Sequence, residues 1–272
     1  MIVDAHCHLS LDPAVLARHM IRSKRAGIDR TILLAPHATD YLRTNRLVAR
    51  MASQYPETFI GFVFVHPERD RGRVAGIVDR AVCDWRCAGI KVHGGDVDMA
   101  SIAMQSTMFD EICRVASRRR LPVLIDVAGW PRIVERLAAN FPNAAIIVAH
   151  LGSFADDWTA QRTTMRLMRR FPNVYADTSG VRRFDTVDWA VQFAGPDKVL
   201  FGSDGPWLHP ELELSKIKLL GLRVADERLI LGGNALRLIQ KSDLADGTPN
   251  RRVLTPTYAA QDRTKPLSIV EG

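Results

Sequence analysis

The chain of 272 residues has no uninterrupted apolar run of about 18 residues, the length a membrane-spanning helix needs. Its N-terminus lacks the basic and apolar regions of a secretory signal and enters a strand-like segment directly, so a cytoplasmic location is the expectation. Cysteine is scarce. The four residues Cys7, Cys83, Cys87 and Cys113 form no disulfide framework and no Cys-x-x-Cys metal motif. Cys83 and Cys87, four apart on an expected helix, read as small half-buried neighbours. No glycine-rich loop follows the first strand, which argues against a dinucleotide-binding open sheet. The net charge is +7, yet no arginine stripe is interleaved with aromatics. The arginine clusters Arg118–Arg120, Arg169-Arg170, Arg182-Arg183 and Arg251-Arg252 sit mostly at expected helix ends, where cations complement the helix dipole. A solvated exterior is the reading, and nucleic acid is not an expected partner.

What is present is a soluble globular composition, 47% hydrophobic and 25% charged, at a length close to the roughly 250 residues of a closed α/β barrel. Short runs rich in Val, Ile and Phe recur at Ile2–His8, Thr31–Pro36, Phe59–His66, Gly89–His93, Pro122–Val127, Ala144–Ala149, Val174–Thr178 and Val199–Ser203. Near-continuous apolar runs of this kind suit parallel strands buried on both faces. Helical patterns alternate with them. Asp12-Pro13 supplies an N-cap and an N1 proline for Ala14–Ala26, with Gly27 as the stop, and Asp40 opens a helix to Gln54. Further helices are expected over Arg73–Arg86, Met104–Arg119, Pro131–Asn140, Trp158–Arg170, Thr186–Ala194 and Pro210–Leu220, with a closing helix at Asn234–Ile239. Eight alternations imply a (β/α)8 TIM barrel over residues 1–240. Residues 241–272 form an irregular C-terminal tail, either mobile or an arm on another subunit of a homo-oligomer.

The polar residues collect at one end of these strands. Of eight histidines, His6, His8, His37, His66, His93 and His150 lie in or just after a strand, and only His19 and His209 do not. Asp126, Asp177 and Asp204 end the fifth, seventh and eighth strands. In a parallel barrel all of these meet at the C-terminal mouth, where barrel enzymes place their chemistry. Strict alternation puts Ile2, Asp4, His6 and His8 on one face of the first strand, with the two imidazoles about 6–7 Å apart along it. Val3, Ala5 and Cys7 then form an apolar face beneath the helices. Equal phase groups Ile146, Val148 and His150; Leu200, Gly202 and Asp204; Lys91 and His93; and Leu124 and Asp126. Singly, each is read as a core histidine or a capping aspartate. Together they point to a metal-centred site.

Asp4-x-His6-x-His8, the Gly89-Ile-Lys-Val-His93 strand, Ala149-His-Leu-Gly152, Phe201-Gly-Ser-Asp-Gly-Pro206 and Gly233-Asn-Ala235 together resemble the amidohydrolase superfamily. The nearest resemblance is to the amidohydrolase-related family that includes aminocarboxymuconate-semialdehyde decarboxylase and small lactone hydrolases. It implies His6 and His8 as metal ligands, Asp204 as a metal-touching carboxylate that shuttles a proton, and His150 as the residue orienting water or polarising substrate. The sequence departs from the family at Asp126, where a ligand histidine is usual. Asp126 is expected as a ligand, the other reading being that it accepts hydrogen bonds while His150 ligates. Zinc is the first expectation for a single divalent ion and manganese the second. Such an ion makes hydroxide available near neutrality. Lys91, His93 and Arg182, with Arg183, are candidates to bind a small substrate, and Trp130, Trp207 and His209 to wall its pocket. The first functional reading is a metal-dependent hydrolase of a lactone, amide or ester. The alternatives are a non-oxidative decarboxylase of an aromatic or unsaturated acid, and a binding barrel with a weakened metal site.

Overall fold

A computed structural model of the chain describes residues 1–36, 40–94, 107–154 and 156–240. His37, the expected helix start at Met104 and the 241–272 tail lie outside the described residues. Eight parallel strands follow one another in chain order. They are β1 (Val3–His8), β2 (Arg30–Leu34), β3 (Phe59–Phe64), β4 (Gly89–His93), β5 (Pro122–Asp126), β6 (Ala145–Val148), β7 (Val174–Asp177) and β8 (Val199–Leu200). Between and after them run α1 (Pro13–Arg25), α2 (Tyr41–Gln54), α3 (Val74–Cys83), α4 (Thr107–Arg119), α5 (Arg132–Asn140), α6 (Trp158–Arg170), α7 (Phe184–Ala194), α8 (Pro210–Lys218), α9 (Val224–Arg228) and α10 (Asn234–Gln240). This is the (β/α)8 TIM barrel. No helix among the described residues is long and apolar enough to cross a membrane.

The helix starts follow local chemistry. Asp12 accepts from the Ala14 N–H at 2.9 Å, Asp40 from Arg43 N–H at 3.1 Å, and Asp157 from Thr159 N–H at 2.8 Å, each satisfying a backbone donor that the first turn leaves unpaired. Gly27, at φ +79, ends α1 in the left-handed region.

Alternation along the strands divides the core in two. Ile90, Val92, Val123, Ile125, Ile146, Val148, Val174 and Ala176 face the helices. Ile32, Leu34, Ile60, Phe62, Leu124, Ile147, Tyr175 and Leu200 fill the barrel, and Ala235 and Leu238 of α10 join them. The lumen is a packed core of large and small side chains, open to chemistry only at the other end. Gly89 shows how tight the fit is: a Cβ there would lie 2.4 Å from the Phe62 ring.

Three expectations of phase change here. In β1, Asp4 pairs with Thr31 but Cys7 with Leu33, so β1 carries one extra residue, a bulge. Val3 and Ala5 therefore belong to the barrel interior, and Asp4 shares the outer side with Cys7 while His6 and His8 turn inward. In β6, Ile146 and Val148 face outward, so His150 does not reach the mouth by continuing their phase. The eighth strand is shorter than the expected Val199–Ser203. Beyond Leu200 the chain leaves the β7 ladder and bonds to β1: Ala5 N–H to Phe201 O at 2.9 Å, Asp204 N–H to His6 O at 2.7 Å, and His8 N–H to Gly205 O at 2.6 Å. These bonds close the barrel.

Gly89→Ala is expected to overpack the lumen and cost about 1–3 kcal/mol in chemical denaturation, with Phe62→Leu in the same chain recovering part of the loss. An additive pair would mean that the two residues do not meet.

Candidate metal centre

Past the β1 bulge, His6 is completely buried and its Nδ1 lies 2.9 Å from Asp177 Oδ2 at the end of β7. The carboxylate can only accept, so Nδ1 carries the hydrogen and Nε2 presents its lone pair to the mouth. His6 Nε2 is 3.1 Å from His8 Nε2, and Asp204 Oδ1 stands 3.6 and 3.5 Å from the two nitrogens. Donors sharing one ion at about 2.0–2.2 Å stand roughly 2.8–3.6 Å apart, so the three atoms are spaced as a ligand set. Burial, with the Lys91 charge second, pushes His6 down to about 3, and burial pushes His8 well below its ordinary value. Both rings are therefore neutral, the form that binds a metal. Among the described residues, His8 Nδ1 is buried without a hydrogen-bond partner. The residues present fit a divalent ion.

Asp177 organises the floor. Burial resists its charge, but the interaction with His6 outweighs this and holds it well below the carboxylate range. Its Oδ1 also accepts from Ser179 N–H at 3.0 Å, Ser179 Oγ at 2.5 Å and His150 N–H at 3.2 Å. His150 lies in a 3-10 turn, Ala149–Gly152, where His150 and Leu151 adopt left-handed φ values of 57 and 50. That reversal aims the ring back over the mouth. Its Nδ1 is 2.7 Å from Ser179 O, so it too carries a hydrogen, and the ring stacks on His6 with centroids 4.9 Å apart.

Around this core lies a cavity of about 470 Å³. Lys91, only 1% exposed, puts Nζ 3.3 Å from His6 Nε2. Burial draws its ammonium below the ordinary value, against the pull of Asp126, Asp177 and Asp204. Burial also pushes Asp204 up to about 7, with His150 and Lys91 opposing. Asp126 sits on the wall: Oδ1 accepts from Ala128 N–H at 2.8 Å, while Oδ2 faces His93 Nε2 at 3.3 Å and His150 Nε2 at 3.9 Å. This is the arrangement of an acceptor beside His150, and Asp126 stands apart from the His6, His8 and Asp204 donors that cluster within 4.8 Å. Two aromatic faces complete the walls: Trp207, centroid 4.5 Å from His8, and Phe154, edge-on to His150 at 5.1 Å.

Of the residues expected from sequence, His6, His8, Lys91, His93, Asp126, His150, Asp204 and Trp207 come together in this cavity. Trp130, Arg182 and His209 are corrections, since none of them lines it. The chain turns left-handed at Ala128 and Gly129, and Trp130 beyond is 47% exposed. The Arg182 side chain is 69% exposed, with Nε 3.8 Å from Asp156. His209 is held at the N-cap of α8. His66, expected at the mouth, instead accepts from the N–H groups of Glu68 and Arg69 at 3.2 and 3.3 Å. Ser179 and Phe154 carried no signal in the sequence. Asp177 did, as a carboxylate at a strand end, but its bond to His6 spans 171 residues and no pattern reveals it.

A family model described as Amidohydrolase matches residues 3–240. The chain belongs to the amidohydrolase family. Comparison with curated proteins returns no match. Among solved structures, the fold is similar to a 5-carboxyvanillate decarboxylase from Novosphingobium aromaticivorans with bound manganese and 3-methoxy-4-hydroxy-5-nitrobenzoic acid, at TM-score 0.69 and 15% identity over 88% of this chain and 97% of that one. It is also similar to a dihydroxybenzoic acid decarboxylase from Polaromonas with bound manganese and 2-nitroresorcinol, at TM-score 0.64 and 17% identity over 88% and 96%. A 4-oxalomesaconate hydratase from Rhodopseudomonas palustris matches at TM-score 0.68 and 17% identity over 89% and 96%. At such identities the likeness is one of fold.

The geometry predicts that His6→Ala with His8→Ala gives a folded protein that retains no divalent metal on elemental analysis; stoichiometric metal in that variant would place the ion elsewhere. The pH dependence has a definite sign. With Asp204 near 7, a proton competes with the ion below that pH, so affinity should fall by up to about tenfold per unit of acidification. The rise in Tm on adding Mn²⁺ should accordingly be larger at pH 8 than at pH 6.

Proposed function

We propose that this amidohydrolase is a divalent-metal-dependent carbon–carbon lyase that releases CO₂ without oxidation from a small aromatic or unsaturated carboxylic acid. The observation that carries this reading is the buried Lys91 ammonium, 3.3 Å from a metal-donor nitrogen in a cavity that also holds Trp207 and Phe154. A fixed cation in a desolvated pocket favours an anion strongly, and flat aromatic walls favour a planar one. The solved decarboxylases and hydratase of the same fold support a lyase better than the hydrolase first expected from sequence. Manganese in two of them, and a carboxylate in the donor set, make manganese the first choice here and zinc the second.

His6, His8 and Asp204 would hold the ion, which supplies Lewis acidity toward substrate oxygens when bound. Lys91 pairs with the carboxylate that is to leave, while Trp207 and Phe154 flank the ring. Asp204, raised by burial to about 7, gains and loses a proton near neutral pH in the free protein. A neighbouring cation draws that value down and the substrate carboxylate draws it up, so the proton is held best with substrate in place. Asp204 delivers it to the carbon bearing the carboxylate. As the carbon–carboxylate bond breaks, its electron pair returns to the π system and CO₂ departs. Solvent then reprotonates Asp204. His150, its Nδ1 tied to Ser179 O, has Nε2 in the cavity to hydrogen-bond a substrate hydroxyl.

The test is CO₂ release from the manganese-loaded enzyme across a panel of hydroxybenzoates and α,β-unsaturated acids. Asp204→Asn should lower kcat by about a hundredfold or more, and Lys91→Met should raise KM for the acid. Turnover of lactones, esters or amides with no CO₂ from any acid would return the assignment to the hydrolase.

A further inference from the structure

The Asp4 side chain plays no part in the cavity, yet it is completely buried behind it. The β1 bulge turns it to the outer side of the strand, where it meets the segment that carries Asp204. Its Oδ1 accepts from the Ser203 N–H at 2.8 Å and from the His6 N–H at 3.1 Å, and its Oδ2 from the Ser203 hydroxyl at 2.5 Å. The Ser203 oxygen in turn accepts from the Gly205 N–H at 3.0 Å. Ser203 and Gly205 flank Asp204, so one neighbour of the metal-facing carboxylate is tied to Asp4 directly and the other through the Ser203 hydroxyl.

Asp204 needs such restraint. It holds φ at +54, a left-handed conformation that a residue with a Cβ adopts only where its surroundings enforce it. On the far side the same turn is backed by His19 of α1, whose ring lies so close that a Cβ on Gly205 would fall 2.0 Å from Cε1. The turn is thus gripped between β1 and α1. Asp4, Cys7 and His19 also place donor atoms within 4.8 Å of one another. The three hydrogen bonds to Asp4 occupy its oxygens, and the clamp accounts for this carboxylate without a second ion.

We propose that Asp4 and Ser203 are positioning residues: their hydrogen bonds hold Asp204 left-handed, with its carboxylate on the His6 and His8 nitrogens, and thereby set the affinity of the metal centre. The inference deepens the metal-centre reading and rests on it. The Asp4 carboxylate accepts from His6 N–H and from Ser203, and the Ser203 hydroxyl oxygen accepts from Gly205 N–H, so β1 and the β8 loop are fixed to one another at the two positions that supply donors.

The experiment compares Ser203→Ala and Asp4→Asn with Asn45→Ala. Asn45 exchanges two 2.8 Å hydrogen bonds with the backbone of Phe64, does not line the cavity, and serves as a control for the loss of buried hydrogen bonds in general. Mn²⁺ alone is titrated by calorimetry, and Tm is recorded for each protein. The clamp predicts that Ser203→Ala and Asp4→Asn weaken Mn²⁺ binding by about ten- to a hundredfold, while Asn45→Ala lowers Tm and leaves affinity within twofold of wild type. Affinity lost only in proportion to Tm, equally in all three, overturns the proposal. Crystal structures of the metal-free variants give an independent readout. Asp204 leaving the left-handed region supports the clamp, and Asp204 unmoved in both variants refutes it. If the wild type itself binds no Mn²⁺, the metal-centre reading fails and these structures alone decide the clamp. If one variant does not fold, the other is judged by the same two measurements.

Discussion

Hydrogen bonds between β1 and residues 201–205 close the barrel, and the same bonds assemble its chemistry. The Asp204 N–H to His6 O bond and the His8 N–H to Gly205 O bond join the two chain segments that carry the three candidate metal donors. Closure and donor spacing are therefore one geometric condition. Were the last strand to end elsewhere, the barrel would gap and the carboxylate would leave the two imidazoles together. The partners are separated by almost the whole folded chain, so the centre exists only once the eighth strand has docked.

Electrostatics explains why the mouth tolerates so many buried polar groups. An isolated buried charge is costly, and each charge here is matched or suppressed. Asp177 stays ionised because four hydrogen-bond donors from His6, Ser179 and His150 converge on it. His6 and His8 stay neutral because burial forbids otherwise. Lys91 faces Asp126, Asp177 and Asp204, the three carboxylates that oppose its loss of charge. Asp204, lifted to about 7, is a cavity-lining group left with a choice of state near neutrality. A residue so placed is suited to exchanging a proton, and the rest of the constellation serves to keep it so.

Backbone strain has a similar distribution. His150, Leu151 and Asp204 carry positive φ values of 57, 50 and 54. Each such residue costs of the order of 1–3 kcal/mol, against about 1 kcal/mol for a typical hydrogen bond. Hydrogen bonds steady both turns: His150 N–H donates to Asp177, Ser203 N–H to Asp4, and Gly205 N–H to the Ser203 hydroxyl oxygen. Arg86, Arg120, Ala128 and Asp156 also have positive φ, so left-handed turns are not confined to the site, but two of them carry His150 and Asp204.

The alternation of strands and helices, the helix starts at Asp12 and Asp40, and the gathering of histidine and aspartate at strand ends were all determined by the sequence alone. They depend on periodicity and on contacts within a few residues, which a linear reading captures. The pairing of Lys91 with His93 and of Leu124 with Asp126 on inward faces followed for the same reason, because β4 and β5 are regular. Tertiary structure decided the rest. The bulge in β1 sends Asp4 outward, the left-handed turn after β6 brings His150 back, and the turn after β5 carries Trp130 away. It also seats Asp126 as an acceptor between Ala128, His93 and His150, apart from the other donors. Such departures from regular geometry are stabilised by partners up to 199 residues away, as in Asp4 with Ser203. A periodic pattern assumes a regular backbone, and at this mouth the backbone is regular only up to the residues that matter most.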